Sequence, residues 1–375
     1  MPTAPLITTI IPTYRRPYLL RRAIQSVLDQ TYPHFKVCVY DNASNDSTAE
    51  VVLAQGSRDS RVHYRCHTEN IGPQENFIFG LARVDTPFFN LLSDDDFLLP
   101  TFFAHATSAL QKNPNAGFFF GGVLSANLNG HVLGFPLFGA GPQQTCSPPR
   151  LFQVLAPNTR TWTSILFRRT LLESLGGLRR ETSYASDTDF ILRSAAQYEA
   201  VLSDIPCAVF TLHPASTSVA KSPEAFESQL NLALFDSVNR AIDSAQEKKT
   251  VTALAAAEMK TAHRRATEQS LFRNAFSLIA RGQLSLAVRA SNILAAVFER
   301  QDMAAVINVA AQDNGIGTLA RLGIRSVKTA RSLWFAGSRA ARYSGDSELV
   351  KKRIQQLTAI APGDHGQELK KGIPV

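Results

Sequence analysis

Three adjacent carboxylates, Asp94, Asp95 and Asp96, end the stretch "TPFFNLLSDDD", whose apolar part predicts a short buried strand. Neighbouring negative charges repel one another, so this arrangement costs stability unless a cation or hydrogen-bond donors offset the repulsion. A divalent cation such as Mg²⁺ or Mn²⁺ would do so, because it binds one or two carboxylates together with substrate phosphate oxygens. The alternative is a solvated turn that caps a helix starting near Pro100, since Asp is a good N-cap and Pro suits the first helical turn.

The elements around these acids predict a parallel sheet. Apolar and β-branched runs indicate strands, and apolar residues at helical spacing indicate helices between them. The predicted strands are 6–12, 35–41, 61–67 and 87–93, and the predicted helices are 17–30, 47–55, 73–84 and 101–112. Such alternation implies right-handed crossovers and a parallel sheet, with ligands bound at the carboxyl ends of the strands.

Polar residues stand at these strand ends. The first strand ends in "PTYRRP", the second in "YDNASND" and the fourth in "SDDD". The first loop contains no glycine, so the fingerprint G-x-G-x-x-G and the phosphate loop G-x-x-x-x-G-K-[ST] are both absent. Phosphates at this edge therefore need something other than a glycine-rich backbone cradle, and a carboxylate-bound divalent cation meets that need.

The pattern changes after residue 112. Asn129 and Gly130, between two apolar runs, predict a hairpin. Residues 150–180 predict a helical stretch, "SDTDFILRSA" (186–195) opens another helix, and 201–213 predict one or two strands. Asp187 stands at the start of that helix, where a capping role is one interpretation.

Strand signals nearly vanish beyond residue 222, where amphipathic helices rich in Ala, Leu, Glu and Arg follow. We therefore expect a catalytic domain over 1–222, with halves 1–112 and 113–222, and a helical domain over 223–375 that ends in a frayed tail. Residues 319–343 mix basic and apolar side chains at helical spacing. This segment could contact an anionic membrane surface, pack on the catalytic domain or form a homodimer.

Composition excludes several classes of protein. The 375 residues carry a net charge of +8, which favours anionic partners such as nucleotides. Nucleic acid also fits this charge, but no recognisable binding module is present, so we expect no nucleic-acid partner. The four cysteines lie far apart without a Cys/His cluster, which argues against zinc. Neither a signal peptide nor a membrane-spanning run is evident, so we expect a cytoplasmic protein, with attachment to the inner face of the cell membrane left open.

Several ordered motifs resemble family 2 glycosyltransferases with the GT-A fold, over about residues 5–220. They are "TTIIPTYRRPYLLRRAIQSVLDQTYPHFKVCVYDNASNDST", "NIGPQENFIFGLARVDTPFFNLLSDDDFLLP" and "TSILFRRTLLESLGGLRRETSYASDTDFILRSA". The resemblance implies a Rossmann-like, mainly parallel sheet flanked by helices. It also implies inverting, metal-dependent transfer of a sugar from a nucleotide-sugar donor of the UDP or dTDP type. The implied acceptor is a hydroxyl of a saccharide or lipid-linked saccharide in surface polysaccharide biosynthesis.

The resemblance assigns residues to the donor side of the site. Those implied to bind the nucleotide are Pro12, Thr13, Tyr14, Arg15, Asp41, Asn70, Asn76 and Asp94. Turn and cap roles explain Asn70 and Asn76 nearly as well. The implied ligands of Mn²⁺ or Mg²⁺ are Asp95, Asp96 and His213, and which of the three acids contacts the metal is left open. The alternative for His213 is a core or turn histidine. Arg16 is either a neighbour of the phosphate or base or only a solvated charge, and the solvated charge is the favoured interpretation.

The resemblance also implies a base and its supports. Asp187 falls on the position of the catalytic base, with Ser186 in place of the family's preceding Glu. Asp189 and Arg193, four residues apart on one helix face, can pair, and we assign them a supporting role. Trp162 is either a platform for the acceptor or a core residue.

Two acidic sites suit glycosyl transfer. The metal site stabilises the departing diphosphate, and the base removes a proton from the attacking hydroxyl on the opposite face of the sugar. Two alternatives remain at this point. A nucleotidyltransferase would usually show a glycine-rich basic loop after the first strand. The other alternative is a catalytically degenerate nucleotide-sugar or glycan-binding protein. Intact Asp41, Asp95 and Asp187 argue against it, while Ser93 and Ser186, which replace acids of the family pattern, keep it open.

Overall fold

A computed structural model describes residues 6–128, 132–134, 138–157, 161–213, 232–279, 281–312 and 356. The strands are β1 (Ile7–Thr13), β2 (Phe35–Asp41), β3 (Val62–Cys66), β4 (Phe88–Leu91), β5 (Phe97–Leu98), β6 (Ala116–Asn127), β7 (Val132–Gly134), β8 (Gln144–Cys146), β9 (Ile165–Arg168) and β10 (Glu199–Leu212). The helices of the first part are α1 (Pro17–Leu28), α2 (Thr48–Gly56), α3 (Pro73–Leu81), α4 (Phe102–Lys112), α5 (Arg150–Leu155), α6 (Thr170–Leu175) and α7 (Ser186–Gln197). Then follow α8 (Ala233–Glu247), α9 (Ala253–Ile279), α10 (Leu284–Ala296) and α11 (Gln301–Gln312). A short 3₁₀ segment, Arg180–Ala185, precedes α7.

All these strands join one mixed sheet in the order β3-β2-β1-β4-β9-β6-β10-β5, with β7 on β6 and β8 on β10. The first four of that order run parallel, as the sequence predicts. Strand β9 is antiparallel to both of its neighbours, β4 and β6. The register of β1 and β2 puts Thr13 beside Asp41 at their carboxyl ends. Two of the predicted nucleotide-binding residues therefore share this edge of the sheet.

Most predicted elements of the first 112 residues are present within a few residues of their expected ends. The predicted helical stretch over 150–180 is wrong in its centre, where Ile165–Arg168 form β9. This strand is buried within the sheet, so it lacks the polar–apolar alternation that marks a half-exposed strand. The predicted hairpin is seen as the antiparallel pairing of β6 with β7, while its turn residues, Asn129 and Gly130, lie outside the described residues.

Apolar side chains cover both faces of the sheet. Ile10 points to one hydrophobic cluster and Ile11 to the other, and Phe118 and Phe119 divide in the same way. This alternation follows from the two-residue period of a strand. Residues of α1 and α4 cover one face, and residues of α5, α7 and α8 cover the other. The sheet is therefore an internal layer, and its carboxyl edge is where loops can form a site.

The helices after residue 232 divide between two cores. Val238 and Ile242 of α8, with Ala256 and Met259 of α9, belong to the same hydrophobic cluster as the sheet. The second half of α9 packs with α10 and α11 in a separate cluster. The predicted boundary near 222 lies outside the described residues and stays a prediction, as does membrane contact by 319–343. In the described part of the chain, no helix has both the length and the apolar character needed to cross a bilayer.

Candidate active site

The loop after β1 is held in an unusual backbone conformation. Arg15 has a positive φ of 54°, and Ala43 and Asn45 in the loop after β2 have φ values of 57° and 52°. The Arg15 amide donates to Ser44 Oγ at 2.9 Å, and its guanidinium donates to the Ser44 carbonyl at 3.2 Å. The guanidinium also lies over the Tyr14 ring, 5.1 Å from its centroid. Left-handed residues other than glycine are costly and concentrate at ligand sites, so this pair of loops is a candidate nucleotide pocket.

Asp41 is buried at the end of β2 with its carboxylate oriented by two neighbours. Tyr64 donates its hydroxyl to Oδ2 at 2.7 Å, and the Ser44 amide donates to Oδ1 at 3.0 Å. Burial and the Asp41 carboxylate raise the pKa of Tyr64, so the phenol remains a donor at neutral pH. A carboxylate accepts about four hydrogen bonds, and Asp41 therefore keeps acceptor capacity for a base edge.

The two predicted asparagines act within the scaffold. Asn70 Oδ1 accepts from Asn42 at 2.6 Å and from the Gly72 amide at 2.9 Å. Asn76 is buried and donates to the Tyr40 carbonyl at 2.8 Å. These contacts favour the turn and cap roles that the sequence left open. Both residues fix the loop before α3 against the end of β2.

Asp94 and Asp95 share one basic partner. Thr13 donates to Asp94 Oδ2 at 2.8 Å. Arg16 Nη1 lies 3.1 Å from Asp94 Oδ1 and 3.1 Å from Asp95 Oδ2. Of the two interpretations of Arg16, these contacts contradict the solvated charge, because the side chain is 20% exposed and bridges the two acids. The first and fourth strand ends, which the sequence placed at one edge, meet through these contacts.

His213 also contacts Asp95. Its Nε2 lies 3.1 Å from Asp95 Oδ2, across 118 residues of sequence. Burial raises the pKa of Asp95, but the hydrogen bond from His213 and the charge of Arg16 outweigh burial and hold the pKa below its usual range. Because Oδ2 is then a pure acceptor, Nε2 carries a hydrogen and donates it to Asp95. Its Nδ1 is buried and has no hydrogen-bond partner among the described residues.

Asp96 differs from its two neighbours. It is fully buried, and both oxygens accept from protein donors: Oδ2 from the Thr163 hydroxyl and Oδ1 from the Thr211 amide, each at 2.8 Å. Burial and the charge of Asp95 raise its pKa well above the usual range. These contacts do not favour Asp96 as a metal ligand. They favour a structural role in which it joins the acidic turn to β10.

Arg22 was missed by the sequence analysis. It is buried in α1 and donates through Nη2 to the Asp95 carbonyl and, at 2.9 Å, to Thr211 Oγ1. The signal that could have revealed it is an arginine in line with the buried stripe of this helix, one turn before Ser26. Arg22 therefore fixes the backbone of the acidic turn through the Asp95 carbonyl.

Asp187 lies in the first turn of α7 and is half-buried. Its Oδ1 accepts from the Thr188 amide at 2.6 Å and from the Thr188 hydroxyl at 3.3 Å. Burial raises the pKa of Asp187 to about 6, against these hydrogen bonds. A carboxylate with a pKa near the working pH is well suited to accept a proton. The preceding turn contains Ser183 with a positive φ of 42°, a kink next to the candidate base.

The expected pair of Asp189 and Arg193 is present. Arg193 Nε donates to Asp189 Oδ2 at 2.8 Å, and both side chains are buried. The guanidinium also donates to the carbonyls of Leu175, Gly176 and Gly177, at the carboxyl end of α6. The second oxygen of Asp189 accepts from Ser237 of α8. This network fixes α7 between two helices.

Trp162 is only 6% exposed and belongs to the hydrophobic core. Its ring lies 4.7 Å from that of Phe77 of α3, between centroids. A buried ring offers no open face for a sugar, so the structure favours the core role over the acceptor platform.

The donor side and the base are connected through α3. Gln74, in the first turn of that helix, donates to Ser186 Oγ at 2.6 Å and to the Arg179 carbonyl at 3.0 Å. Asn70, four residues before Gln74, bonds to the loop that follows Asp41. The segment from Asn70 to Gln74 thus connects the carboxyl edge of the parallel strands with the start of α7 through a hydrogen bond at each end.

The parallel half of the sheet, its acidic turn and the loops after β1 and β2 all lie within the segment that matches a known family. Residues 8–173 match the model of Glycosyl transferase family 2. This segment, which is less than half of the 375-residue chain, is similar to that family. The matched segment ends before Asp187, Asp189, Arg193 and His213, so the roles of those residues rest on their own geometry.

Curated relatives match part of the chain. An uncharacterized glycosyltransferase of Rickettsia bellii is 33% identical over 132 residues, which are 34% of this chain and 19% of the relative. The GalNAc(5)-diNAcBac-PP-undecaprenol beta-1,3-glucosyltransferase of Campylobacter jejuni is 33% identical over 115 residues, 30% of this chain and 36% of the relative. The chain thus spans about a fifth to a third of the length of these relatives.

Solved structures support the GT-A fold. TarS 1–349 of S. aureus aligns with a TM-score of 0.57 at 16% identity, over 85% of this chain and 91% of that chain. Its complex with UDP-GlcNAc aligns with a TM-score of 0.54 at 14% identity, over 81% and 90%. At these identities the likeness concerns the fold, which here is a mixed α/β sheet with flanking helices and a helical C-terminal region.

The acidic turn fits a divalent cation that has few protein ligands. No group of three or more His, Cys, Asp or Glu among the described residues is arranged as a complete metal site. Mg²⁺ and similar ions, however, are commonly bound by one or two carboxylates plus substrate phosphates and water. Asp94 Oδ1 and Asp95 Oδ2 both contact the Arg16 guanidinium. Two carboxylate oxygens that share one positive group are also placed to share a metal cation.

Proposed function

We propose that this protein is a glycosyltransferase that moves a sugar from a UDP- or dTDP-linked donor to a hydroxyl of a saccharide or lipid-linked saccharide, with inversion at the anomeric carbon. The observation that carries the proposal is the pair of separate acidic sites. Asp94 and Asp95 lie at the carboxyl edge of β1 and β4, and Asp187 lies in the first turn of α7 with a raised pKa. The site of Asp94 and Asp95 suits a metal ion that binds the leaving diphosphate. Asp187 suits removal of the proton from the attacking hydroxyl.

The donor side is formed by loops with fixed backbones. Pro12, Thr13, Tyr14 and Arg15 would line the base and ribose, and Asp41 would accept from the base edge. Asp95, with Asp94 beside it, would hold Mn²⁺ or Mg²⁺, which when bound would offset the negative charge that grows on the departing diphosphate. His213 Nε2 donates to the oxygen of Asp95 that would bind the metal, so it orients that ligand. A direct bond from His213 to the metal through Nε2 would require loss of the Nε2 proton.

On the acceptor side, Asp187 would take the proton of the attacking hydroxyl. Its pKa near 6 leaves it mostly ionised at neutral pH and still basic enough to accept a proton. Asp189 and Arg193 hold α7, and with it Asp187, in position. Because the hydroxyl and the departing phosphate act on opposite faces of the sugar, a single displacement gives inversion.

A role in surface polysaccharide or lipid-linked saccharide synthesis is supported by the name of the Campylobacter jejuni relative, which acts on an undecaprenol-linked saccharide. A UDP-type donor is supported by the fold relative that was crystallised with UDP-GlcNAc. We propose a cytoplasmic location, where nucleotide sugars and the inner ends of lipid-linked acceptors are both accessible.

The test is a panel of UDP- and dTDP-sugars with Mn²⁺, Mg²⁺ or a chelator, scored by nucleoside diphosphate release and by the anomeric configuration of any product. Asp95→Asn and Asp187→Asn are compared with Glu50→Gln, an exposed acid on α2 that serves as control. We expect metal-dependent release from one donor, lost in both active-site variants and kept in the control.

The outcomes separate the proposal from its alternative. Nucleotide-sugar binding without turnover of any donor would favour a catalytically degenerate binding protein. Release that persists in Asp187→Asn but not in Asp95→Asn would keep the donor site and assign the base to another residue. Release of pyrophosphate from a nucleoside triphosphate and a sugar phosphate would identify a nucleotidyltransferase.

A further inference from the structure

A single nitrogen joins the two acids of the proposed donor site. Arg16 Nη1 is 3.1 Å from Asp94 Oδ1 and 3.1 Å from Asp95 Oδ2. The remaining Asp94 oxygen accepts from Thr13 instead. Arg16 therefore contacts one oxygen of each acid, and these are the two oxygens best placed to bind a shared cation.

We propose that Arg16 is the resident counter-ion of Asp94 and Asp95 and that a divalent cation must displace it to bind there. This inference rests on the metal site of the proposed function. Mg²⁺ binds carboxylate oxygens at about 2.0–2.1 Å, which places such an ion within the space between the acids that Nη1 now occupies. A guanidinium keeps its proton, so the two cations would also repel each other.

The surroundings indicate which partner moves. Asp94 and Asp95 are buried, and Arg22 donates a hydrogen bond to the backbone carbonyl of Asp95. The Arg16 carbonyl accepts the Leu20 amide at 2.9 Å and so fixes the backbone at the start of α1. The Arg16 side chain is 20% exposed, more than either acid. Displacement is therefore a rotation of the Arg16 side chain, with the acids and both backbones in place.

A displaced Arg16 has a natural new partner. A diphosphate that binds beside Asp95 brings negative oxygens close to the start of α1, and a guanidinium pairs well with phosphate. The metal and the nucleotide would then assist each other's binding, because the diphosphate replaces the two carboxylates as the anionic partner of Arg16. Metal binding in the absence of nucleotide should accordingly be weak.

The test measures Mn²⁺ binding directly, by the loss of the free Mn²⁺ signal in electron paramagnetic resonance, with and without UDP. The proteins are the full chain, Arg16→Gln, Asp95→Asn, and Arg21→Gln as the control. Arg21 is an exposed arginine on the same helix, so its loss changes the net charge equally. We expect Arg16→Gln to bind Mn²⁺ at least about tenfold more tightly than the unaltered chain without UDP, because a neighbouring positive charge is gone.

UDP should then tighten Mn²⁺ binding by a larger factor in the unaltered chain than in Arg16→Gln. Arg21→Gln should stay within about twofold of the unaltered chain, since its charge is exposed and screened. Equal Mn²⁺ affinity in Arg16→Gln and the unaltered chain, with binding that still requires Asp95, would overturn the competition and leave the metal site intact. Mn²⁺ binding that is absent, or that does not depend on Asp95 with UDP present, would overturn the metal site itself.

Discussion

Ser237 of α8 donates its hydroxyl to Oδ1 of Asp189, two residues beyond the candidate base. The same hydroxyl accepts a hydrogen bond from Arg179, which precedes the kinked turn before α7. A helix from the C-terminal region thus completes the support of α7, which carries the candidate base. This arrangement makes α8 a part of the active-site scaffold.

Ser237→Ala should lower kcat by about three- to tenfold while the donor KM stays nearly unchanged. The substitution leaves a buried carboxylate oxygen of Asp189 without its donor, which also lowers the free energy of unfolding by about 1–3 kcal/mol. Steady-state kinetics and thermal denaturation measure the two effects. Ser237→Thr keeps the hydroxyl and should recover most of the activity. An unchanged kcat in the alanine variant would show that α8 does not position the base.

The activity should depend on the ionisation of Asp187. Burial raises its pKa to about 6, and a general base acts only when it is deprotonated. We therefore expect kcat/KM to be level above about pH 7 and to fall about tenfold per pH unit below the pKa of about 6. A pH–rate profile at saturating metal measures this limb. An acidic limb near pH 4 would contradict the assignment.

The same shift predicts that Asp187→Asn stabilises the protein at neutral pH. A carboxyl whose pKa is raised from 3.8 to about 6 favours folding fully only below pH 3.8 and loses that contribution as the pH rises through about 6. The upper limit of the gain at pH 7.5 is about 3 kcal/mol, and partial exposure reduces it to about 1 kcal/mol. Melting temperatures at pH 4 and pH 7.5 test this: the gain should appear only at the higher pH.

Substitutions of Asp95 and Asp96 should affect different properties, activity for Asp95 and stability for Asp96. Asp96→Asn replaces an acceptor of two protein donors, so it should lower the free energy of unfolding by about 1–3 kcal/mol. Asp95→Asn should cost less stability and remove Mn²⁺-dependent donor turnover. Chemical denaturation and nucleoside diphosphate release are measured on both variants. Greater loss of stability in Asp95→Asn than in Asp96→Asn would reverse the roles given to the two acids.

Arg22→Leu should destabilise the protein by about 2–4 kcal/mol, because the Asp95 carbonyl and the Thr211 hydroxyl lose their buried donor. The released acidic turn should also raise the donor KM. Denaturation and donor kinetics measure the two changes. Arg21→Leu, an exposed change on the same helix, is the control and should be nearly neutral. An Arg22 variant as stable as this control would remove the proposed support of the turn.

Local patterns predicted much of this molecule, because they involve few residues. The period of two or 3.6 residues located the first strands and helices, and four-residue spacing predicted the pair of Asp189 and Arg193. Strand β9 was not predicted, because a strand buried on both faces has the same apolar run as a buried helix. Residue type and spacing therefore predicted contacts between residues that lie within one helical turn of each other, as in the pair of Asp189 and Arg193.

The contacts that define the site join distant residues. Arg16 and Asp95 are 79 positions apart, and Asp95 and His213 are 118 positions apart. Nothing at the position of Arg16 distinguishes a bridging arginine from a solvated one until the fold brings the acidic turn beside it. Trp162 is a similar case, since a tryptophan in a core and one on a sugar platform have the same sequence context.

The hydrophobic cluster shared by Phe152, Phe190, Val238 and Met259 also has a consequence for protein engineering. Exchanging catalytic modules between relatives requires a junction that leaves each core whole. A junction near residue 222 would cut through the layer that α8 and the first half of α9 complete. A chimera joined within α9, between its two hydrophobic clusters, would keep the sheet covered and would move only the outer helices to the new enzyme.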